Sequence, residues 1–356
     1  MNLMPPSYKN QEEKKKYFSM EIINTEDDLK RLFKEILPEK YNQKGIWRGL
    51  PESRFKLYNT LQREDIPFKR LLSVDNVINS IKNSATYFDS WQGKIIPRYF
   101  RNYRIENISI FAKLSILRHY GVPSPLIDWT RDPRFALFFA TQDQSEIANN
   151  EIDEYFSIYY ITTDHPYYKL DAKLGYREVL EEDDDFRNEV NKRINFVFQH
   201  GGDNILQQEA KIKAENELLQ IALNDLKLTL SNIKKQNIQR IEDQQNDGIL
   251  HYIRNNLNIT AQSGLFIINT DPIRPLEDAI FSRINELAKQ DNELDVSCAM
   301  KRHKENFFCF DIHKRFTERI IRELNKQNIR KETMEPDLKK LKDDITFEMI
   351  TAEINR

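Results

Sequence analysis

The stretch from Leu117 to Ala140 constrains the fold of this chain more than any other. Ile108, Phe111, Leu114 and Leu117 recur at helical spacing and predict an amphipathic helix running to Tyr120. Gly121 suits a left-handed helix stop, with Arg118 and His119 at the negative end of the helix. Val122-Pro123-Ser124-Pro125 cannot continue a helix, because each proline lacks an N–H and fixes its φ. Leu126-Ile127 predicts a brief strand, and Asp132-Pro133 an N-cap followed by proline at the first helical position. Phe135 to Ala140 is apolar on nearly every side of a helix, so that helix is expected to be buried. Asp128, Trp129 and Thr130 therefore fall between a strand end and a helix N-terminus. Free N–H groups and a positive dipole end suit that place to phosphates or other anions.

Around this stretch, composition excludes several classes. The 356 residues can bury one large core or two small ones, and 39% hydrophobic with 31% charged content fits a soluble globular protein with a charged helical portion. The formal net charge of −2 gives no argument for a nucleic-acid or membrane partner. With 9 glycines, no glycine-rich phosphate loop or dinucleotide fingerprint is available. Cys298 and Cys309 form neither a disulfide framework nor a zinc motif, the six histidines are scattered, and no metal is expected. A nucleophile elbow with flanking glycines is missing too, which argues against a serine hydrolase. The N-terminus lacks a signal-peptide apolar core and no apolar run approaches a membrane span, so a cytoplasmic location without membrane contact is expected.

Along the chain, residues 1–18 read as a polar tail, disordered to about Lys16. Thr25 is expected to cap a helix whose buried face is Leu29, Leu32, Phe33 and Ile36. Strands are expected at Gly45–Gly49, Tyr155–Thr162, Gly264–Ile268 and Phe307–Ile312, and a helix over Phe68–Tyr87. The segment from about 181 to 247 is different in kind. There Ile205, Ile212, Leu219, Leu226 and Ile233 recur at heptad spacing, predicting a long coiled-coil-like insertion packed on the body or joining two copies as a homo-oligomer; packing within one chain is preferred. His313–Asn325 and the residues around Leu338 complete the helices, and Lys301-Arg302-His303-Lys304 reads as a solvated basic loop in preference to a nucleic-acid contact. The expected fold is α+β: one mixed central sheet flanked by helices and interrupted by the insertion.

Several spaced motifs resemble the FRG domain family. Ile46-Trp47-Arg48-Gly49-Leu50 stands where that family has its namesake Phe/Tyr/Trp-Arg-Gly motif, followed by Leu57-Tyr58-Asn59-Thr60-Leu61-Gln62-Arg63. His119-Tyr120-Gly121-Val122-Pro123 and Leu126-Ile127-Asp128-Trp129-Thr130 resemble its strongest motif. Ala261-Gln262-Ser263-Gly264-Leu265-Phe266 and Glu335-Pro336-Asp337-Leu338 resemble later ones. The resemblance runs from about Ile46 to Leu341, inside a domain taken as 19–356. The family pattern is in turn similar in outline to ADP-ribosyltransferases. That similarity implies NAD as substrate, transfer of ADP-ribose to a protein or nucleic-acid acceptor or hydrolysis of NAD, and a bacterial toxin or phage-defence setting. Arg48 would match the first-strand element and Trp129-Thr130 the second. The catalytic Glu of a later strand has no counterpart, Gln262 being nearest.

The residues themselves leave alternatives open. Arg48 offers a planar charged fork for a diphosphate, or an ordinary ion pair. Asp128 is a catalytic carboxylate or, preferred, the partner of Arg48 or Arg131. His119 is a general acid/base or, preferred, a helix C-cap. Thr130 positions a ribose or starts a turn. Trp47, Tyr120 and Trp129 stack on a cofactor ring or fill core. Gln262 can hydrogen-bond a ribose but supplies no negative charge. A non-catalytic nucleotide-binding or interaction module, and a nucleic-acid-acting effector, remain the alternatives to a transferase.

Overall fold

The computed structural model describes residues 6–37, 45–65, 73–92, 109–119, 121–146, 148–162, 226–235, 237–241, 261–290 and 296–334, with the single positions 188, 192, 195, 208 and 259. In chain order the strands are β1 (Ser19–Ile23), β2 (Gly45–Leu50), β3 (Leu126–Thr130), β4 (Tyr155–Thr162), β5 (Ile238–Ile241), β6 (Gly264–Asn269) and β7 (Phe307–His313). The helices are α1 (Gln11–Lys15), α2 (Glu26–Ile36), α3 (Thr60–Asp65), α4 (Val74–Gln92), α5 (Ile110–His119), α6 (Pro133–Ala140), α7 (Leu226–Lys235), α8 (Leu276–Gln290), α9 (Val296–Lys304), α10 (Thr317–Lys326) and α11 (Lys331–Met334).

The strands form one mixed sheet in the order β1-β7-β4-β2-β3-β6-β5, parallel between β1 and β7 and antiparallel elsewhere. This is the expected α+β fold. Alternation along β3 separates two faces: Leu126 packs with α4 and α5, whereas Ile127 and Trp129 pack with α8. A third cluster joins Trp47 to α2, α6 and α10.

Local expectations around the central stretch hold. Gly121 takes φ 88°, Asp132 caps α6 with Pro133 in its first turn, and Thr25 and Asp28 form a reciprocal capping box on α2. Cys309 is a buried core residue and Cys298 is exposed. Others change. The expected helix over Phe68–Tyr87 begins at Val74 where it is described. The basic run Lys301–Lys304 is the last turn of α9, not a loop, and its His303 ring is buried with a nitrogen 2.9 Å from the Tyr17 carbonyl.

The N-terminal segment also differs from the expected tail. Tyr8 and Phe18 are buried, and α1 drives Lys14 fully into the sheet. The Lys14 ammonium lies 2.5 Å from Asp311 and also donates to the Ser53 carbonyl, the Ser53 hydroxyl and the Ser157 hydroxyl at 2.9–3.1 Å. Ser53 and Ser157 in turn donate to Asp311. Composition suggested solvation because it counts charges; here one charge is paired and saturated with hydrogen bonds, which makes its burial tolerable.

Most of the predicted insertion, with Ile205, Ile212 and Leu219, lies outside the described residues. Its last part is α7, which buries Ile233 against the α4–α5 cluster, and then β5, an edge strand of the main sheet. The C-terminal end of that segment thus belongs to the fold itself.

Candidate functional site

β2 and β3 meet at a single pair, Trp47 opposite Thr130, whereas β2 pairs with β4 along its whole length and β3 with β6 along its whole length. Beyond that pair the sheet parts, and the Arg48 side chain occupies the opening. Its Nη1 donates to the Asp128 carbonyl at 2.5 Å, taking up an acceptor in the opened part of the sheet, and stands 3.7 Å from the Asp128 carboxylate. A cleft of about 440 Å³ lies at this opening, between α6 on one side and α3 and α5 on the other.

Glycine at position 49 allows this arrangement. A Cβ there would overlap the Ala136 carbonyl and stand 2.8 Å from the Ala140 nitrogen, so α6 crosses β2 at backbone distance. Packing on α6 and Tyr160 also fixes Trp47, whose ring stacks on Tyr160 at 4.2 Å between centroids and is 1% exposed. Trp47 lines the cleft as part of its wall, and its ring face is spent on the core.

The far wall is set by a polar clamp. Asn59 and Gln62 bond each other's backbone N–H, and reach the carbonyls of Asn269, Asp271 and Arg274 at 2.7–2.9 Å, tying the start of α3 to the end of β6. This places Thr60 and Arg63 on the cleft. The Thr60 hydroxyl accepts from Arg118 Nη1 at 2.7 Å and from the Ser124 N–H at 2.9 Å.

Asp128 is gripped most firmly by Arg118. Arg118 Nε donates to one carboxylate oxygen at 2.8 Å and Nη2 to the other, a two-pronged pair. Burial alone would raise the Asp128 pKa. The Arg118 charge and hydrogen bonds, then Arg48 and Arg63, instead hold it down at about 2. Burial, with the charges of Arg118 and Arg63, brings Arg48 down to about 10, against the opposing pull of Asp128. Desolvation by the surrounding cleft walls and the neighbouring Arg118 also lower Arg63, although its side chain reaches solvent. Asp128 is thus an ionised carboxylate at every ordinary pH, and three guanidinium groups share it. The second carboxylate among the described lining residues is Asp143, exposed at the end of α6 with φ 51°.

The sequence-derived candidates separate accordingly. Arg48, Asp128, Trp129, Thr130 and Gln262 all line the cleft. The Thr130 hydroxyl donates to the Gln262 carbonyl at 2.7 Å and accepts from the Asp132 N–H at 3.0 Å, so it joins β3 to the turn before β6 and to the α6 cap. Trp129 is 3% exposed, and its indole N–H is buried with no hydrogen-bond partner among the described residues. Tyr120 and the His119 side chain lie outside what is described. Sequence reasoning missed Arg118 as the principal partner of Asp128, having placed it at a helix end, and it missed Arg63 and Thr60 as cleft residues although both stand in the motif noted after Gly49. The ten-residue separation of Arg118 and Asp128 gives no local signal; only the turn at Gly121 folds one onto the other.

Among the described residues no helix is long and apolar enough to cross a membrane. No curated protein and no solved structure matches this chain. Residues 43–149 match the family described as the FRG domain. That span holds β2, α3, α5, β3 and α6, which supply most of the cleft lining, while Gln262 and Phe266 come from beyond it; the elements at 261–266 and 335–338 that also resembled the family fall outside the match, and the latter lies outside the described residues. The chain therefore contains an FRG domain, and the Trp-Arg-Gly of its β2 is the hinge of the opening in the sheet.

Proposed function

We propose that the cleft binds a phosphate-bearing nucleotide, that NAD is this ligand, and that the chain transfers ADP-ribose from it to a macromolecule or hydrolyses it. The convergence of Arg48, Arg63 and Arg118 on one carboxylate carries the reading: the cleft keeps a surplus of positive charge on planar donors suited to a diphosphate. NAD and the transfer reaction come from the similarity of the motif order to ADP-ribosyltransferases. Of the three arginines, Arg63 is the one with a solvent-accessible side chain, which leaves it available to a ligand. Asp128 supports a glycosidic cleavage only as a fixed negative charge facing a developing oxocarbenium-like centre, because it is ionised throughout the neutral range.

The same grip on Asp128 favours a second reading, binding without turnover. Its charge is already neutralised by arginines, and Gln262 adds none. Label transfer from adenylate-labelled NAD in a lysate separates the two. Turnover predicts labelled protein, labelled nucleic acid or free ADP-ribose, reduced about tenfold to hundredfold in Arg63→Ala, as expected for losing a hydrogen bond to a charged group of about 1.5–3 kcal/mol. Saturable NAD binding by the folded chain with no label transferred and no NAD consumed would leave a binding module.

A further inference from the structure

We infer that a second cavity, on the other side of Arg48 and Arg63, is a subsite for a nucleoside monophosphate unit. It measures about 210 Å³ and is walled by Arg54, Phe55, Lys56 and Tyr58 from the loop after β2, and by Ser7 from the N-terminal segment. It shares Arg48 and Arg63 with the cleft already described, and the inference rests on the nucleotide reading of that cleft.

Three features point to this ligand. The first is composition. Four cationic side chains, Arg48, Arg54, Lys56 and Arg63, border a small space with two aromatic rings, Phe55 and Tyr58. Cations beside ring faces take a phosphate and a base together, since stacking tolerates any base and the cations hold the phosphate. The second is an unmet donor. The Arg48 side chain is 10% exposed, and its Nε is buried with no partner among the described residues, although its Nη1 is engaged by Asp128. A buried charged donor left so is costly unless a ligand answers it.

The third is rigidity. The loop is pinned on both sides of its cations. Glu52 accepts from Lys314 and the Ser145 N–H at 2.7–2.8 Å, and Ser53 joins the Lys14–Asp311 network. Further on, the Leu57 N–H donates to Glu277, which also accepts from the Tyr8 hydroxyl. Arg54 is held 3.4 Å from the buried Asp153, and the Lys56 ammonium lies 5.1 Å from the Tyr8 ring centroid. A preformed cavity of this kind avoids the ordering cost of binding.

The test is calorimetric titration of the full-length chain with AMP and, separately, with NAD, comparing wild type, Lys56→Gln and Lys56→Glu. Thermal denaturation of each protein verifies folding. AMP binding is expected in the wild type, weakened in Lys56→Gln and at least about tenfold weaker in Lys56→Glu, whose reversed charge opposes the phosphate. If Lys56→Glu weakens NAD in parallel, the cavity holds the second half of one dinucleotide; if AMP alone is affected, it holds a separate mononucleotide. Both results support the subsite. AMP binding that ignores Lys56→Glu, or no AMP binding by the folded wild type, would overturn it. NAD binding by the wild type reads the first cleft independently, so that proposal survives or fails on its own.

Discussion

Asp128 answers to three arginines, and this decides what it can do. A carboxylate held near pKa 2 by Arg118, Arg48 and Arg63 has no proton to give at neutral pH and is a poor base. Its remaining roles are electrostatic: it keeps the guanidinium groups apart and offers a fixed charge to the cleft. Asp128→Asn tests both. The variant should bind an anionic nucleotide as tightly as wild type or more so, because the cleft gains net positive charge, while losing any NAD turnover. Its stability should fall by about 1–3 kcal/mol, below the cost of breaking a fully buried pair because the Asp128 side chain is 46% exposed. Weakened nucleotide binding, or NAD turnover that the variant leaves unchanged, would contradict this assignment. The preference for a structural pairing of Asp128 was legible in the sequence, since a charge at a strand end needs a partner. Which arginine pairs was not. Arg118 belongs to a helix that its own spacing describes well, and nothing in that spacing says its side chain turns toward a strand laid down ten residues later.

At the scale of elements, the opening of the sheet depends on how closely α6 lies on β2. Gly49 is the contact point, with the backbone of Ala136 and Ala140 filling the space a side chain would need. Gly49→Ala must push the helix away or distort the strand. We expect a loss of about 1–3 kcal/mol, the usual cost of overpacking, seen as a lower midpoint in urea with an unchanged slope. Because α6 carries Phe139 to the cleft wall, nucleotide affinity should fall with it. An unaltered midpoint would show that the helix has room to move. Most elements could be read in advance: apolar runs marked β2, β3, β4, β6 and β7, and Asp132-Pro133 the start of α6, whereas β1 and β5 carried no such signal. Their pairing could not. The parallel β1–β7 edge, the single bridge between β2 and β3, and the arrival of β5 from the segment expected as insertion are all long-range choices that no local period records.

For the molecule as a whole, the N-terminal segment is part of the fold. Lys14, Tyr8 and Phe18 fix residues that composition assigned to solvent, and the error came from counting charges without the partners that bury them. One of these anchors makes stability depend on pH. Burial raises the Glu277 pKa from 4.5 to about 7, despite its hydrogen bonds from Tyr8 and Leu57. The unfolded chain ionises Glu277 more readily, so its contribution is complete below pH 4.5 and is lost as pH rises toward 7. Burial lowers His303 to about 4, which acts oppositely: that stability is complete above about 6.5 and is lost as pH falls toward 4. The wild-type profile mixes the two. Glu277→Gln isolates the first, because an amide oxygen still accepts from Tyr8 and Leu57 and no longer titrates. Its stability relative to wild type should improve between pH 4.5 and 7 by about 3 kcal/mol, following the size of the shift. A difference between the two proteins that stays constant with pH would refute the assignment.

The central claim is that the opening between β2 and β3 is a nucleotide site with a surplus of arginine charge. Calorimetric titration of the purified chain with NAD, run on wild type and on Arg63→Ala, tests it most directly. Saturable binding that weakens about tenfold or more in the variant is the predicted result. Absence of binding by the folded wild type, or binding that Arg63→Ala leaves untouched, would contradict it.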